Sequence, residues 1–288
     1  MPDDCATVLP PVPAWQPTPL ILASIALHAL ALGAVLWQFD LWPWALTALV
    51  LNHSVLTATG LWPRSQALGP NLTRLPEAAA RRGEVALTID DGPDPLITPA
   101  VLDLLDAHGA RATFFCIAER ARSHPELCRA IVLRGHAVEN HSDRHRHSFS
   151  LLGPRGYARE LQAAQVDLRH ITGVTPRFFR APAGLRNPFL GPILARHQLL
   201  LASWTRRGFD TRESRPAVVL HRLVHKLGPG DILLLHDGHA ARTAQGRPVI
   251  LEVLPALLHA IRTAGLTTVT LRVACATPDT PAAPARPQ

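Results

Sequence analysis

The sequence predicts an α/β protein, a distorted (β/α) barrel of about seven parallel strands preceded by an N-terminal transmembrane helical hairpin. Two patterns predict this fold class. After residue 84, short apolar strand-like runs alternate with amphipathic helical patterns, which is typical of a largely parallel sheet. Before residue 63, two long uncharged stretches are separated only by Gln38–Asp40, and this pattern indicates two helices of membrane-spanning length.

The two uncharged stretches are Leu20–Trp37 and Leu41–Trp62. At about 1.5 Å per helical residue, the first spans roughly 27 Å and the second slightly more, close to the ~30 Å hydrocarbon core of a bilayer. Tryptophans near the segment ends fit the membrane interface. A cleaved signal peptide is the alternative, but no basic region precedes the first stretch and a second stretch follows it.

Charge is distributed unevenly along the chain. All 29 Lys and Arg residues lie after residue 63, and Arg64, Arg74, Arg81 and Arg82 follow the second stretch directly. By the positive-inside rule, this pattern favours a multi-pass protein of a bacterial-type inner membrane, with the lipid bilayer as a partner and the domain after residue 83 on the cytoplasmic side. The alternative places that domain on the external side. A nucleic-acid partner is not expected, because the arginines are scattered and do not alternate with aromatic residues.

The barrel elements follow in order along the chain. Predicted strands are Val85–Asp90, Ala112–Ile117, Ala137–His141, Phe178–Arg180, Leu199–Trp204, Asp231–His236 and Thr267–Val273. Predicted helices are Ile97–His108, Pro125–Arg134, Gly156–Ile171, Pro216–Leu227 and Pro248–Ala264. In Gly156–Ile171, the residues expected on one buried face are Leu161, Ala164, Gln165 and Leu168.

We therefore divide the chain into five parts. An N-terminal tail covers residues 1–19, two transmembrane helices lie within 20–63, and a linker covers 64–83. The predicted barrel domain covers residues 84–275, and a Pro- and Ala-rich tail, 276–288, is expected to be disordered. The four cysteines have no spacing typical of a disulfide framework, and Cys116 is expected in the core.

The chemistry-bearing residues lie where predicted strands end. Asp90 and Asp91 follow an apolar run and precede Gly92-Pro93, so they lie where a strand becomes a turn. Neighbouring side chains on a strand point to opposite sides, so one carboxylate can bind a metal while the other faces the substrate. His141 and His145 follow another strand-like run, and together with one carboxylate they predict an open, three-ligand metal site of the kind that activates water.

Five ordered segments then resemble the polysaccharide deacetylases, the NodB-type family of carbohydrate esterase family 4. They are Thr88–Pro93, His141–His145, Arg177–Gly184, Trp204–Asp210 and Leu233–Asp237, and the resemblance covers roughly residues 84–273. One departure is Thr211, which follows Asp210 where the family usually has tryptophan.

The resemblance implies a metal site and a general base. Asp91, His141 and His145 would hold a divalent metal ion; zinc is favoured, and cobalt or another divalent ion is the alternative. Asp90 would be the general base that takes a proton from water, and Arg180 would pair with Asp90 and keep it ionised.

The resemblance also implies an acid and a substrate groove. His236 would be the general acid that protonates the leaving amine, with Asp210 as its orienting partner. Pro182 and Leu234 would line the groove that receives the acetyl group.

The function expected from these residues is that of a membrane-anchored, metal-dependent hydrolase. It would remove N-acetyl groups from an amino-sugar polymer, oligosaccharide or glycoconjugate of the N-acetylglucosamine type. The alternatives are a deacylase of a lipid-linked sugar precursor at the inner leaflet, an O-acetyl esterase, and a carbohydrate-binding membrane protein without catalysis. Every expected catalytic position carries a chemically competent residue, which favours an enzyme.

Overall fold

The computed structural model describes residues 9–276. Its α-helices are α1 (Pro19–Trp37), α2 (Trp42–Gly60), α3 (Glu77–Arg81), α4 (Thr98–Ala107), α5 (Ala118–Ser123), α6 (Pro125–Leu133), α7 (Pro154–Thr172), α8 (Leu190–Arg196), α9 (Pro216–Val224), α10 (Val249–Thr263) and α11 (Leu271–Cys275). Its strands are β1 (Glu84–Asp90), β2 (Thr113–Cys116), β3 (Ala137–Asn140), β4 (Phe178–Phe179), β5 (Leu200–Leu201), β6 (Arg206–Arg207), β7 (Ile232–His236) and β8 (Thr267–Val269).

The strands form one parallel sheet that confirms the predicted α/β class. Seven of them follow the order β5-β4-β3-β2-β1-β7-β6, and β8 pairs with the first half of β1. In register, Asp90 lies between Phe115 of β2 and His236 of β7. The carboxyl ends of the central strands therefore meet at one edge of the sheet, which is where barrels of this kind carry their active sites.

A segment before the sheet extends it at the β5 edge. The Leu72 amide donates to the Leu201 carbonyl, and the Leu72 carbonyl accepts from the Ser203 amide. Leu68, Leu75 and Ala79, all inside the segment that the sequence suggested as a linker, are buried. Residues 64–83 therefore pack against the barrel.

Two predicted strands are each four residues shorter than expected. The strand predicted at Leu199–Trp204 is limited to the two residues of β5, and the separate strand β6 was not predicted at all. The strand predicted at Thr267–Val273 ends at Val269, because the Thr270 hydroxyl accepts a hydrogen bond from the Val273 amide and so caps helix α11.

The sheet alternates between an outer and an inner face. On β1, Val85, Leu87 and Ile89 pack with the outer helices, whereas Ala86 joins an inner cluster with Leu234 of β7. Asp90 and His236 are in phase with these inner residues, so both point into the barrel. The predicted buried face of α7 is confirmed, and Cys116 is a buried free cysteine in the outer cluster.

Helices α1 and α2 form a hairpin whose polar side chains pair with each other. The Asn52 amide donates to the Ser24 hydroxyl over 2.8 Å, and Nε2 of His28 lies 3.3 Å from Nε2 of His53. Within residues 9–276, only Pro19–Trp37 is both long and apolar enough to span a membrane, with a mean hydropathy of 2.2. Helix α2, which was predicted as a second transmembrane helix, is not apolar enough, because Asn52 and His53 lower its mean hydropathy.

The hairpin also contacts the barrel. The Arg186 amide donates to the Gly60 carbonyl, and the Thr18 hydroxyl donates to the Ala67 carbonyl over 2.7 Å. A mainly apolar cavity of about 720 Å³ lies between the hairpin and the loops at Ser150 and Asn187. The predicted disordered tail lies, apart from Ala276, outside the described residues, as do residues 1–8 of the predicted N-terminal tail.

Candidate active site

Six of the nine predicted site residues line one cleft of about 540 Å³ at the carboxyl ends of the central strands: Asp90, Asp91, His141, His145, Leu234 and His236. Asp90 ends β1 and His236 ends β7, and the two are register partners. Asp91 begins the turn after β1, while His141 and His145 lie in the loop after β3. The side chains of the cleft therefore come from the ends of β1 and β7 and from the segments that follow β1 and β3, which meet at one edge of the sheet.

Asp91, His141 and His145 converge on a single point. Oδ1 of Asp91 lies 3.1 Å from Nε2 of His141 and 3.2 Å from Nε2 of His145. The Nδ1 atom of His141 lies 2.8 Å from the Arg180 carbonyl, which can only accept, so Nδ1 carries the proton and Nε2 presents a lone pair. One carboxylate oxygen and two imidazole nitrogens therefore surround the same space.

This donor set fits a divalent cation. Oδ1 of Asp91 is buried and has no hydrogen-bond partner among residues 9–276. Burial lowers the pKa of His145 to about 4, so its imidazole is neutral, as a metal ligand must be. A cation between these donors would satisfy both the unpartnered carboxylate oxygen of Asp91 and the lone pair on Nε2 of His141. His, His and Asp are the ligands of open zinc-type sites.

The turns that carry the ligands have strained backbones. Asp91, Ser142, His145 and His239 all have positive φ angles, between 49° and 72°. Non-glycine residues adopt this region rarely and usually at functional sites. The turns are also closely packed: a Cβ at Gly238 would lie 2.2 Å from the Asp91 carbonyl oxygen, so only glycine fits there.

Asp90 has a different environment from Asp91. Its Oδ1 accepts a 2.6 Å hydrogen bond from Nη1 of Arg180, whose side chain is 1% exposed. Arg180 is held in turn by the Thr88 hydroxyl and by the Ser203 carbonyl, and it lies over the Phe115 ring. The predicted Arg180–Asp90 pair is therefore present, and it leaves Oδ2 of Asp90 directed towards the cleft, 3.8 Å from Nε2 of His141.

Asp210 holds His236 through two hydrogen bonds. Its Oδ1 lies 2.9 Å from Nδ1 of His236, and its Oδ2 accepts from the His236 backbone amide over 2.7 Å. Nε2 of His236 is thereby left for the cleft. Burial lowers the pKa of His236, but the charge and hydrogen bond of Asp210 raise it more, so the pKa lies above its ordinary value.

Of the two residues predicted to line an acetyl groove, only Leu234 lines the cleft. Leu234 and Trp204 line the cleft, together with Ala183 and Gly184. Pro182 is buried next to them and does not line it.

Sequence reasoning missed His239 and Arg120. Nη2 of Arg120 donates to Nε2 of His239 over 2.9 Å, so the proton of His239 is on Nδ1, which lies 3.2 Å from Oδ2 of Asp91. The same arginine donates to the Asp91 carbonyl over 2.8 Å. His239 thus occupies one carboxylate oxygen of Asp91 and leaves the other for the two ligand histidines.

We expect the His239→Ala variant to bind zinc about 10- to 100-fold more weakly, because residues that orient metal ligands contribute roughly that much affinity. Competition with a chromogenic zinc chelator measures the affinity directly. His147→Ala is a matched control, since His147 also lines the cleft but makes no hydrogen bond within the described chain. Equal zinc affinities for both variants and the wild type would show that His239 does not orient Asp91 for metal binding.

Comparison with known proteins identifies the family. Residues 77–200 match the model of the polysaccharide deacetylase family. The chain is 35% identical over 171 residues to a chitooligosaccharide deacetylase of Sinorhizobium fredii, covering 58% of this chain and 78% of that relative. The chain belongs to the polysaccharide deacetylase family. This polysaccharide deacetylase is therefore a hydrolase of carbon–nitrogen bonds other than peptide bonds.

One further relative and two solved structures are also similar to this chain. A peptidoglycan-N-acetylglucosamine deacetylase of Bacillus cereus is 33% identical over 175 residues, 60% of this polysaccharide deacetylase and 81% of the relative. A family 4 carbohydrate esterase from Streptomyces lividans, solved with acetate, is 31% identical with a TM-score of 0.58, covering 65% and 91% of the two chains. A CE4 family pseudoenzyme from Bacillus anthracis, at 23% identity and a TM-score of 0.63 over 71% and 68%, shares the fold.

Proposed function

We propose that this protein is a membrane-anchored, divalent-metal-dependent hydrolase that removes N-acetyl groups from an amino sugar of the N-acetylglucosamine type. The observation that carries the proposal is the convergence in one cleft of three metal-ligand donors, the Arg180–Asp90 pair and the Asp210–His236 pair. The relatives named as chitooligosaccharide and peptidoglycan-N-acetylglucosamine deacetylases support the substrate class.

Asp91, His141 and His145 would hold the cation, with zinc favoured by two imidazoles and one carboxylate, and cobalt or another divalent ion as the alternative. When bound, such a cation polarises a carbonyl oxygen and lowers the pKa of water.

Asp90 serves as the general base. Its Oδ1 is engaged by Arg180, and the positive charge favours the ionised carboxylate. Its Oδ2 faces the same space as the metal ligands, 3.8 Å from Nε2 of His141, so it can accept a proton from water in that space. The hydroxide that is left after this proton transfer adds to the carbonyl carbon of the acetyl group.

His236 serves as the general acid. The Asp210 carboxylate fixes its Nδ1 atom and raises its pKa, which favours the protonated imidazole with a proton on Nε2. Breaking the carbon–nitrogen bond leaves the sugar nitrogen with an electron pair, and His236 donates its proton there. The products are acetate and the free amine, and Leu234 and Trp204 offer apolar contact for the acetyl methyl.

Chelation tests the proposal. We expect the full chain, purified in detergent, to release acetate from N-acetylglucosamine oligosaccharides, to lose at least about 100-fold of this activity after dialysis against a chelator, and to regain it with zinc or cobalt. O-acetylated sugars should be hydrolysed more slowly than the N-acetyl amide if the enzyme is a deacetylase rather than an esterase. A protein that binds the sugars and the metal without releasing acetate would instead be a carbohydrate-binding protein.

We also propose that the α1–α2 hairpin anchors the enzyme in a membrane. The apolar character of Pro19–Trp37 supports this, as does the exposure of large apolar side chains along both helices, such as Leu30, Leu36 and Leu51. Separation of membrane and soluble fractions tests the anchor, since a chain lacking residues 1–60 should leave the membrane fraction. A compartment-sensitive reporter fused after Gln288 tests the cytoplasmic side that the arginine flank favours.

A further inference from the structure

Arg207 points into the catalytic cleft. It belongs to β6, which pairs with β7, and successive side chains on a strand point to opposite faces. Arg206 turns outward, where its Nε donates to Asp231. Arg207 turns inward and lines the cleft, with its guanidinium carbon 5.2 Å from the Trp204 ring and 5.0 Å from the Phe209 ring. The two rings hold the guanidinium in place and contribute cation–π attraction.

The guanidinium of Arg207 lacks the hydrogen-bond partners that Arg180 and Arg120 have. Arg180 bonds to Asp90, and Arg120 bonds to His239 and to the Asp91 carbonyl. Arg207 makes no side-chain hydrogen bond or ion pair with any residue from 9 to 276, and its Nε atom is buried without a partner. A partly buried charge without a partner is unfavourable. The guanidinium of Arg207 can therefore bind a hydrogen-bond acceptor that comes from a ligand.

The nearby carboxylates do not fill that role. Asp90 and Asp210 are close enough to attract the charge of Arg207, but the first is bonded to Arg180 and the second to His236. Arg212, exposed at the same cleft and without an ion pair in the described chain, adds a like charge that repels Arg207. Two guanidinium groups that face one space without a carboxylate between them favour an anion.

Cations outnumber carboxylates around the whole cleft. Four arginines and three carboxylates line it, and a cation on Asp91 and the Arg180–Asp90 pair would neutralise two of the three carboxylates. A neutral sugar chain cannot form an ion pair with these arginines. A phosphate or carboxylate can, because a planar guanidinium binds it through two parallel hydrogen bonds.

We propose that the cleft recognises an oxyanion, a phosphate or carboxylate group carried by the N-acetylated sugar, and that Arg207 is its principal ligand, with Arg212 at the open side. This inference rests on the proposed deacetylase function. Arg207 is a residue of substrate specificity, and it takes no part in the transfer of protons.

The oxyanion has more than one possible source. It is either the phosphate of a soluble sugar phosphate, the phosphate that joins a sugar to a lipid, or a carboxylate on the sugar ring. The loops 145–151 and 183–189 contribute residues both to the cleft and to the apolar cavity at the hairpin, so a lipid-linked sugar would have an apolar surface next to the site.

The test compares charged and neutral sugars on the full, zinc-loaded chain. We expect N-acetylglucosamine 1-phosphate or 6-phosphate, N-acetylmuramic acid, or polyprenyl-diphosphate-linked N-acetylglucosamine in phosphatidylcholine vesicles to exceed neutral chitobiose in kcat/KM by about 10- to 100-fold, chiefly through KM. The preferred member of this set identifies the source. Arg207→Gln should abolish the preference, Arg207→Lys should retain part of it, and Arg169→Gln, an exposed arginine on α7, is the matched control.

Calorimetry of the same sugars separates this inference from the proposed function, because binding does not need turnover. Binding of a charged sugar that Arg207→Gln weakens, without acetate release, would contradict the deacetylase function and support the oxyanion site. Wild-type turnover of neutral sugars at least as efficient as that of every charged sugar would overturn the oxyanion site. So would an Arg207→Gln variant that lowers kcat equally on both kinds of sugar with KM unchanged.

Discussion

Replacement of Asp90 with asparagine is expected to lower kcat for deacetylation by about 10²- to 10⁴-fold, the usual contribution of a general base. The amide has nearly the shape of the carboxylate, and its oxygen can still accept the hydrogen bond from Nη1 of Arg180. It cannot accept a proton from water. Steady-state kinetics of acetate release measure the loss, and the zinc content of the purified variant should stay at the wild-type level, because Asp90 is not one of the three converging ligand donors.

Asp237→Asn is the matched control for this variant. Asp237 is another buried carboxylate at the end of β7, but it accepts hydrogen bonds from the Thr98 hydroxyl and the Gly238 amide and does not line the cleft. Burial raises its pKa to about 7, so an uncharged side chain suits this position. We expect its kcat to remain within about tenfold of the wild type. An Asp90→Asn variant that is as active as Asp237→Asn would refute the general-base role, and one that loses its zinc would make Asp90 a metal ligand instead.

The positions of the central site residues follow from local sequence patterns. Asp90, His141 and His236 each end or follow a run of apolar residues, and strands that alternate with helices must place their carboxyl ends at one edge. The Asp210–His236 contact, expected only from the family resemblance, is present although Thr211 stands where that family usually has tryptophan. Asp210 is anchored through the backbone amide of His236 as well, which does not depend on the following residue.

The features that could not be predicted depend on contacts between distant segments. His239 looks like a turn residue in the sequence, and its role appears only when Arg120, more than a hundred residues earlier, is seen to fix its proton. Strand β6 consists of two arginines and has no apolar pattern, since it is held by pairing with β7 rather than by its own side chains. Leu72 lies in the predicted linker 64–83, yet its backbone pairs with Leu201 and Ser203 at the end of β5.

The second large effect is expected at His236. The His236→Gln variant should lose about 10²- to 10⁴-fold in kcat, because a neutral amide cannot deliver a proton to the leaving nitrogen. In the wild type, deacetylation should decline on the alkaline side as His236 loses its proton, and the elevated pKa places this decline above the pH at which an ordinary histidine titrates. A pH profile of kcat from acid to alkaline solution measures both effects.

Asp210→Asn separates the charge of Asp210 from its position. Burial lowers the pKa of His236 and the carboxylate of Asp210 raises it, so removing the negative charge must lower the pKa and move the alkaline decline of kcat to lower pH. The asparagine still offers one oxygen to His236, so the variant should retain the fold and its zinc. An alkaline decline that stays at the wild-type pH in Asp210→Asn would show that another group controls it, and His236 would then lose its assignment as the acid.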